Sequence, residues 1–185
     1  MTGLAGVTRI KGPTIRTRVG ASFDFDDPEG SDVVLADIAH ALGNLCRFTG
    51  HTRWFYSVAE HSVHASHLVP VGDAAAALLH DAVEAYVGDV SRPLKSLLPG
   101  YREIEARVEQ AVLGRFGVSS PLPASVRRAD AQMLVLEQRI AMDCSDLWPD
   151  LADVAVPDLR LEFWPPHIAA QRFLERAMEL GVRVR

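Results

Sequence analysis

The sequence predicts an all-α domain of five to seven helices, spanning residues 34–185, behind an irregular N-terminal arm over residues 1–33. Three observations carry this. From residue 34 onward apolar residues recur every three or four positions, the period of one buried helix face. Pro and Gly punctuate that pattern at helix-length intervals. The first 33 residues are instead rich in Gly, Thr, Asp and Pro, including "FDFDDPEGSD", and read as extended segments and turns with room for a short hairpin. A length of 185 residues with 48% hydrophobic and 23% charged content is that of a globular chain able to bury one core.

The first helix is expected over "LADIAHALGNLCRF", with Leu35, Ile38, Ala39, Leu42 and Leu45 on one face. Gly50 and the aromatic "RWFY" interrupt the pattern. "SVAEHSVHASHLV" follows, where Ser57 and Glu60 have capping-box spacing and Pro70 and Gly72 mark the stop. Asp73 is placed to cap "AAAALLHDAVEAYV", which reads as one helix until Gly88. After a loop, "GDVSRPLKSLLPG", come two longer helices, "YREIEARVEQAVLGRFG" and "VRRADAQMLVLEQRIAMDCSDL". The prolines of "WPDLADVAVPDLRLEFWPP" force a loop, and "PPHIAAQRFLERAMEL" forms a last amphipathic helix.

The net charge is −5 with Lys and Arg scattered, which argues against a nucleic-acid polymer as partner. Cys46 and Cys144 form no C-x-x-C pair, so neither a disulfide framework nor a zinc ribbon is expected. The N-terminal residues lack an apolar run of signal-peptide length, and nowhere do about 18 uninterrupted apolar residues occur. A cytoplasmic protein without membrane association is the expectation. Apolar residues on the late helices permit a homodimer.

Chemistry concentrates in "ALLHDAVEAYVGDV", residues 77–90. On a helix, His80 and Glu84 are four apart and Asp81 and Glu84 three apart, so their side chains lean toward a common site, with Asp89 just past the stop. Imidazole nitrogen and carboxylate oxygen together suit a borderline divalent cation such as Mn, Co, Fe, Zn or Ni. An isolated His-Asp dipeptide is ordinarily no more than a solvated helix pair. Here the flanking "AAAALL" and "AVEAYV" leave little other polar surface.

Taken in order, "VAEHSVHASHLV", "ALLHDAVEAYVGDV" and "VRRADAQMLVLE" resemble the H…HD…D series of the HD-domain metal-dependent phosphohydrolases over roughly residues 34–140. The likeness is greatest to small bacterial and phage HD hydrolases, including the 5′-deoxynucleotidases. The resemblance implies an HD-type helical fold and one divalent cation, Mg among the candidates, held by His61, His80, Asp81 and Asp130. It implies that Glu84 and Asp89 assist the chemistry. Dinuclear HD enzymes are less similar, because they add histidines between the HD pair and the last Asp, whereas residues 82–166 contain none. By spacing alone Asp130 is better read as the partner of Arg127 on an exposed helix face, and only the family pattern makes it a ligand; the three-residue spacing of His61, His64 and His67 carries the latter two around the helix toward structural or surface roles.

The family's Arg-Trp pair upstream of the first His has two counterparts here, Arg47-Phe48 and Arg53-Trp54, and spacing does not choose between them. Lys95 matches the family's "GD…P-x-K" layout as a phosphate contact, with Arg92 behind it. The implied activity is removal of the 5′-phosphate from deoxynucleoside monophosphates. A dNTP triphosphohydrolase, for which Arg47, Arg53, Arg92 and Lys95 should converge, and a non-catalytic nucleotide-binding regulator are the alternatives. Phosphate-binding G-x-x-x-x-G-K-[ST], dinucleotide G-x-G-x-x-G and nucleophile-elbow G-x-S-x-G motifs are absent.

Overall fold

A computed structural model describes residues 12–144, 148 and 151–183, and it is all-α apart from one small hairpin. The first eleven residues of the arm and the "SDL" end of the fifth expected helix lie outside the described residues. Strands β1 (Thr14–Arg16) and β2 (Ser22–Asp24) pair antiparallel with Ile15 opposite Phe23. Phe23 is fully buried and stacks on Tyr86 at 4.1 Å between ring centroids. Burying such a side chain stabilises by about 1.5–3 kcal/mol, so the arm's hairpin is anchored in the helical core.

The helices are α1 (Leu35–Asn44), α2 (Val58–His67), α3 (Ala74–Leu79), α4 (Glu84–Val87), α5 (Arg92–Lys95), α6 (Pro99–Arg115), α7 (Ala124–Ile140) and α8 (Pro166–Glu179). One core is built from Ile38 and Leu42 of α1, Ala59 and Val63 of α2, Leu78 and Leu79 of α3, Val108 and Val112 of α6, and Phe173 and Ala177 of α8. Helix α2 packs against α1, α3, α7 and α8, and nearly every one of its residues is buried. Functional side chains on α2 are therefore held from several sides. At Gly43 a β-carbon would come within 2.7 Å of the Pro166 carbonyl oxygen, so only glycine permits this approach of α1 to α8.

Three expectations are corrected. The helix expected over residues 74–87 is broken between α3 and α4, where Ala82, Glu84 and Ala85 donate to carbonyls three residues back rather than four. His80 Nδ1 bonds the Ala77 carbonyl at 2.7 Å, taking an acceptor from the ladder, and the tightened turn re-aims His80 and Asp81. The fifth expected helix stops at Ile140, because Ala141 and Met142 both donate to the Glu137 carbonyl and Asp143 adopts φ 54°. The loop expected over residues 88–100 contains the single turn α5, followed by exposed Leu97 and Leu98. Gly88, with φ 80°, ends α4 as expected. No helix among the described residues is long and apolar enough to cross a membrane.

Candidate metal centre

Ser57 caps α2 by accepting the Glu60 N–H at 3.1 Å, which fixes the first turn and places His61 one turn in, fully buried. The other half of the expected capping box does not form. Instead the buried Glu60 carboxylate accepts the N–H groups of Glu162, Phe163 and Trp164 at 2.6–2.8 Å, clamping the loop before α8 onto α2.

The break between α3 and α4 turns His80 toward His61, and their Nε2 atoms stand 3.2 Å apart. Each ring's other nitrogen faces an acceptor: His61 Nδ1 lies 2.5 Å from Glu137 Oε1, and His80 Nδ1 lies 2.7 Å from the Ala77 carbonyl oxygen. Both Nδ1 atoms therefore carry hydrogen, and in the neutral rings both Nε2 lone pairs point into the same small volume.

Two carboxylates complete the group. Asp81 Oδ2 lies 3.3 Å from His80 Nε2 and 3.6 Å from His61 Nε2, and Asp130 Oδ1 lies 3.4 Å from His61 Nε2 and 3.9 Å from His80 Nε2. Donors about 2.0–2.2 Å from a shared cation, at tetrahedral or octahedral angles, stand roughly 2.9–3.6 Å from one another. Four of the five separations fall in that range. His61, His80 and Asp130 each offer a ligand atom within 4.8 Å of the others, so this trio can hold a metal ion. Arg127 bonds the Leu122 carbonyl, and Asp130 turns to the histidines instead of to that arginine.

Glu84, on α4 behind Asp81, is 7% exposed, and its Oε2 has no hydrogen-bond partner among the described residues. Burial, with the neighbouring charges of Asp81 and Asp89, raises its pKa well above the usual carboxylate range. Asp89 is raised too, first by burial and then by Asp81, against the pull of Arg47 and Lys95.

Arg47 and Phe48 lie at this centre, whereas Arg53 and Trp54 do not. The buried Arg47 guanidinium bonds Glu137 Oε2 through Nη2 at 2.9 Å and brings Nη1 to 3.7 Å from Asp81. Phe48 covers it at 5.2 Å, in a turn where Phe48 and Thr49 both take positive φ. A β-branched residue is strained in that conformation. Arg53 pairs with Asp143, and the half-exposed Trp54 packs on Phe163 beside a surface groove of about 870 Å³. Lys95 is held by Glu105 at 2.5 Å, close enough to the acidic cluster to draw down Glu84 and Asp89.

His64 rests on Trp164, with Nε2 3.5 Å from Glu60, and His67 is exposed; neither is among the donors. His64→Ala is expected to lower thermal stability by about 1 kcal/mol through lost ring packing while leaving metal affinity unchanged, as parallel melting and metal titrations will show. Glu137 and Tyr56 escaped the sequence reading. Glu137 lies seven residues after Asp130, on the same face of α7, and is the lone acid in the apolar run "MLVLE".

The 38% identity over 170 residues to the uncharacterized protein YfdR of Escherichia coli (strain K12) covers 90% of this chain and 95% of YfdR. The chain belongs to the YfdR family. It is also 40% identical over 120 residues to the uncharacterized protein RCAP_rcc00048 of Rhodobacter capsulatus, covering 60% of this chain and 61% of that one. No family model matches.

In this YfdR-family chain a proton competes with any cation for His61. Burial and Arg47 press the His61 pKa down, but the Glu137 and Asp130 carboxylates outweigh them and push it up to about 10. The stabilisation of the metal-free fold by this proton is complete below the free imidazole value of about 6.5, and it is lost as pH rises through about 10. A cation taking His61 Nε2 would have to displace this proton, so its affinity is expected to run the opposite way, rising up to about tenfold per pH unit below that value with about one proton released. Calorimetric titration at pH 8 in buffers of different ionisation enthalpy measures the proton count; heats independent of buffer would refute it.

Proposed function

We propose that the chain is a metal-dependent phosphohydrolase of the HD type that removes the 5′-phosphate from deoxynucleoside monophosphates. The observation that carries this reading is the convergence of two imidazole Nε2 atoms and two carboxylates on one volume, with the buried, unpartnered Glu84 beside them. A structural ion pair needs no such donor set, and it needs no proton-holding acid next to it. The mixed N and O donors suit Mn, Co, Fe, Zn or Ni.

A divalent cation held there supplies a Lewis acid for the phosphate and lowers the pKa of the attacking water. The protein's own groups do the rest. Arg47 keeps a buried Nε without a partner among the described residues, a donor available to a phosphate oxygen, and Lys95 supplies a second cation once it leaves Glu105. Phe48 offers an apolar wall beside Arg47. Water attacks phosphorus and its proton passes to Asp89; the bond from phosphorus to O5′ breaks, and Glu84, protonated through burial, delivers its proton to O5′. The products are a nucleoside and orthophosphate.

The charge balance favours one phosphate over three. Asp81, Glu84, Asp89, Asp130 and Glu137 surround the centre, while among the described residues the only Arg and Lys side chains that act on Glu84, Asp89 and Asp130 are Arg47 and Lys95, the other positive groups being the candidate ligands His61 and His80; Arg53 is paired elsewhere and Arg92 is exposed. A triphosphate needs more positive charge than this. Incubating the metal-loaded protein with nucleoside mono- and triphosphates and separating the products tests the reading. Orthophosphate from deoxynucleoside monophosphates is expected. Triphosphate from dNTPs would transfer the assignment to a triphosphohydrolase, and no turnover with any metal would overturn it.

A further inference from the structure

We infer that Glu137 is the positioning residue of the centre, setting which nitrogen of His61 faces the cation and tying that ring to Arg47. The inference rests on the metal reading above. Glu137 sits on α7 two helical turns beyond Asp130, so one helix face supplies a donor carboxylate and, deeper in the core, a carboxylate that touches the donors from behind. It is fully buried, and each of its oxygens is used. Oε1 accepts from His61 Nδ1 at 2.5 Å and from the Tyr56 hydroxyl at 2.9 Å, and Oε2 accepts from Arg47 Nη2 at 2.9 Å.

The geometry has a definite chemical consequence. A carboxylate cannot donate, so His61 presents Nδ1–H to Glu137 and keeps its Nε2 lone pair for the side where His80, Asp81 and Asp130 converge. The Arg47 ion pair on Oε2 holds the carboxylate against rotation, which in turn fixes the plane of the imidazole, while the Tyr56 hydroxyl only satisfies a remaining lone pair of Oε1. Arg47 neutralises a charge that would otherwise be buried alone, and the same contact aims the guanidinium at Asp81. Glu137 thus joins the cation's ligand to the candidate phosphate contact through a single side chain.

Glutamine at this position cannot reproduce the arrangement. If its carbonyl oxygen faces His61 and Tyr56, its NH₂ meets the Arg47 guanidinium, donor against donor. Reversed, its NH₂ favours the Nε2–H tautomer of His61, which cannot ligate. Either outcome weakens the centre while preserving the side chain's shape.

The test compares Glu137→Gln with Tyr56→Phe. The latter removes a hydrogen bond to the same carboxylate without touching His61 or Arg47. Zn and Co affinities are measured by titration under native conditions, and the His61 Nδ1 proton of the Zn-loaded proteins is followed by NMR. Glu137→Gln is expected to weaken metal affinity about 10–100-fold, as for partners of metal-bound histidines generally, and to lose the strongly downfield Nδ1 proton. Tyr56→Phe is expected to lower the melting temperature but keep both metal affinity and that resonance. Equal metal affinity in wild type and Glu137→Gln, or an equal loss in both variants, would overturn the positioning role. Absence of saturable binding by the wild type would overturn the metal reading on which it depends.

Discussion

Asp81→Ala is expected to abolish hydrolysis and to weaken metal affinity by more than the roughly 100-fold upper range typical of partners behind the ligands. Its Oδ2 is buried, lies 3.3 and 3.6 Å from the two histidine Nε2 atoms, and has no hydrogen bond of its own among the described residues. Such an oxygen is costly to bury unless a cation balances it. Removing it also deprives Arg47 Nη1 of the carboxylate 3.7 Å away, leaving the guanidinium committed to Glu137. Metal content after dialysis, measured beside nucleotide turnover, reads both effects. A variant that stays fully metal-loaded and active would contradict the assignment.

The second large effect belongs to Glu84. Glu84→Gln keeps the volume of a side chain that is 7% exposed, but it removes the transferable proton. The expected result is a fall in kcat of about 10²–10⁴-fold, the usual contribution of a general acid or base, with metal affinity and KM nearly unchanged. The pH profile supplies a sign. Burial and the charges of Asp81 and Asp89 raise the Glu84 pKa, so the acid form persists to higher pH than for a free carboxyl, and kcat falls as pH rises through that raised value. This alkaline limb should vanish in the variant. Retention of the wild-type profile in Glu84→Gln would assign the proton to another group.

The acidic and imidazole cluster of one segment was legible because its spacing is local, whereas His61 and Asp130 came only with the family resemblance. His80, Asp81, Glu84 and Asp89 lie within ten residues, and an imidazole beside carboxylates in an apolar setting marks itself. Ser57 was equally legible as a cap, since capping depends on the residues of one turn. What escaped the sequence depends on distant partners. Glu137 reads as the end of an apolar helix face until Arg47, 90 residues earlier, and His61, 76 residues earlier, are seen to meet it. Glu60 has the spacing of a capping box, yet three loop N–H groups about 100 residues away outcompete the single N–H of Ser57. The break between α3 and α4 was hidden for another reason: "AAAALLHDAVEAYV" starts alanine-rich and holds no Pro or Gly, and the break coincides with His80 bonding the Ala77 carbonyl. Arg47-Phe48 and Arg53-Trp54 are alike as dipeptides. Their surroundings separate them, a buried carboxylate for Arg47 and an exposed one for Arg53.

The crystal structure of the Co-loaded protein, with anomalous data at the cobalt edge, decides whether these four side chains hold a cation. One cobalt per chain is expected, about 2.0–2.3 Å from His61 Nε2, His80 Nε2 and oxygens of Asp81 and Asp130, with Glu137 still on His61 Nδ1. Cobalt bound elsewhere, or a His61 ring turned so that Nδ1 is the ligand, would contradict this assignment.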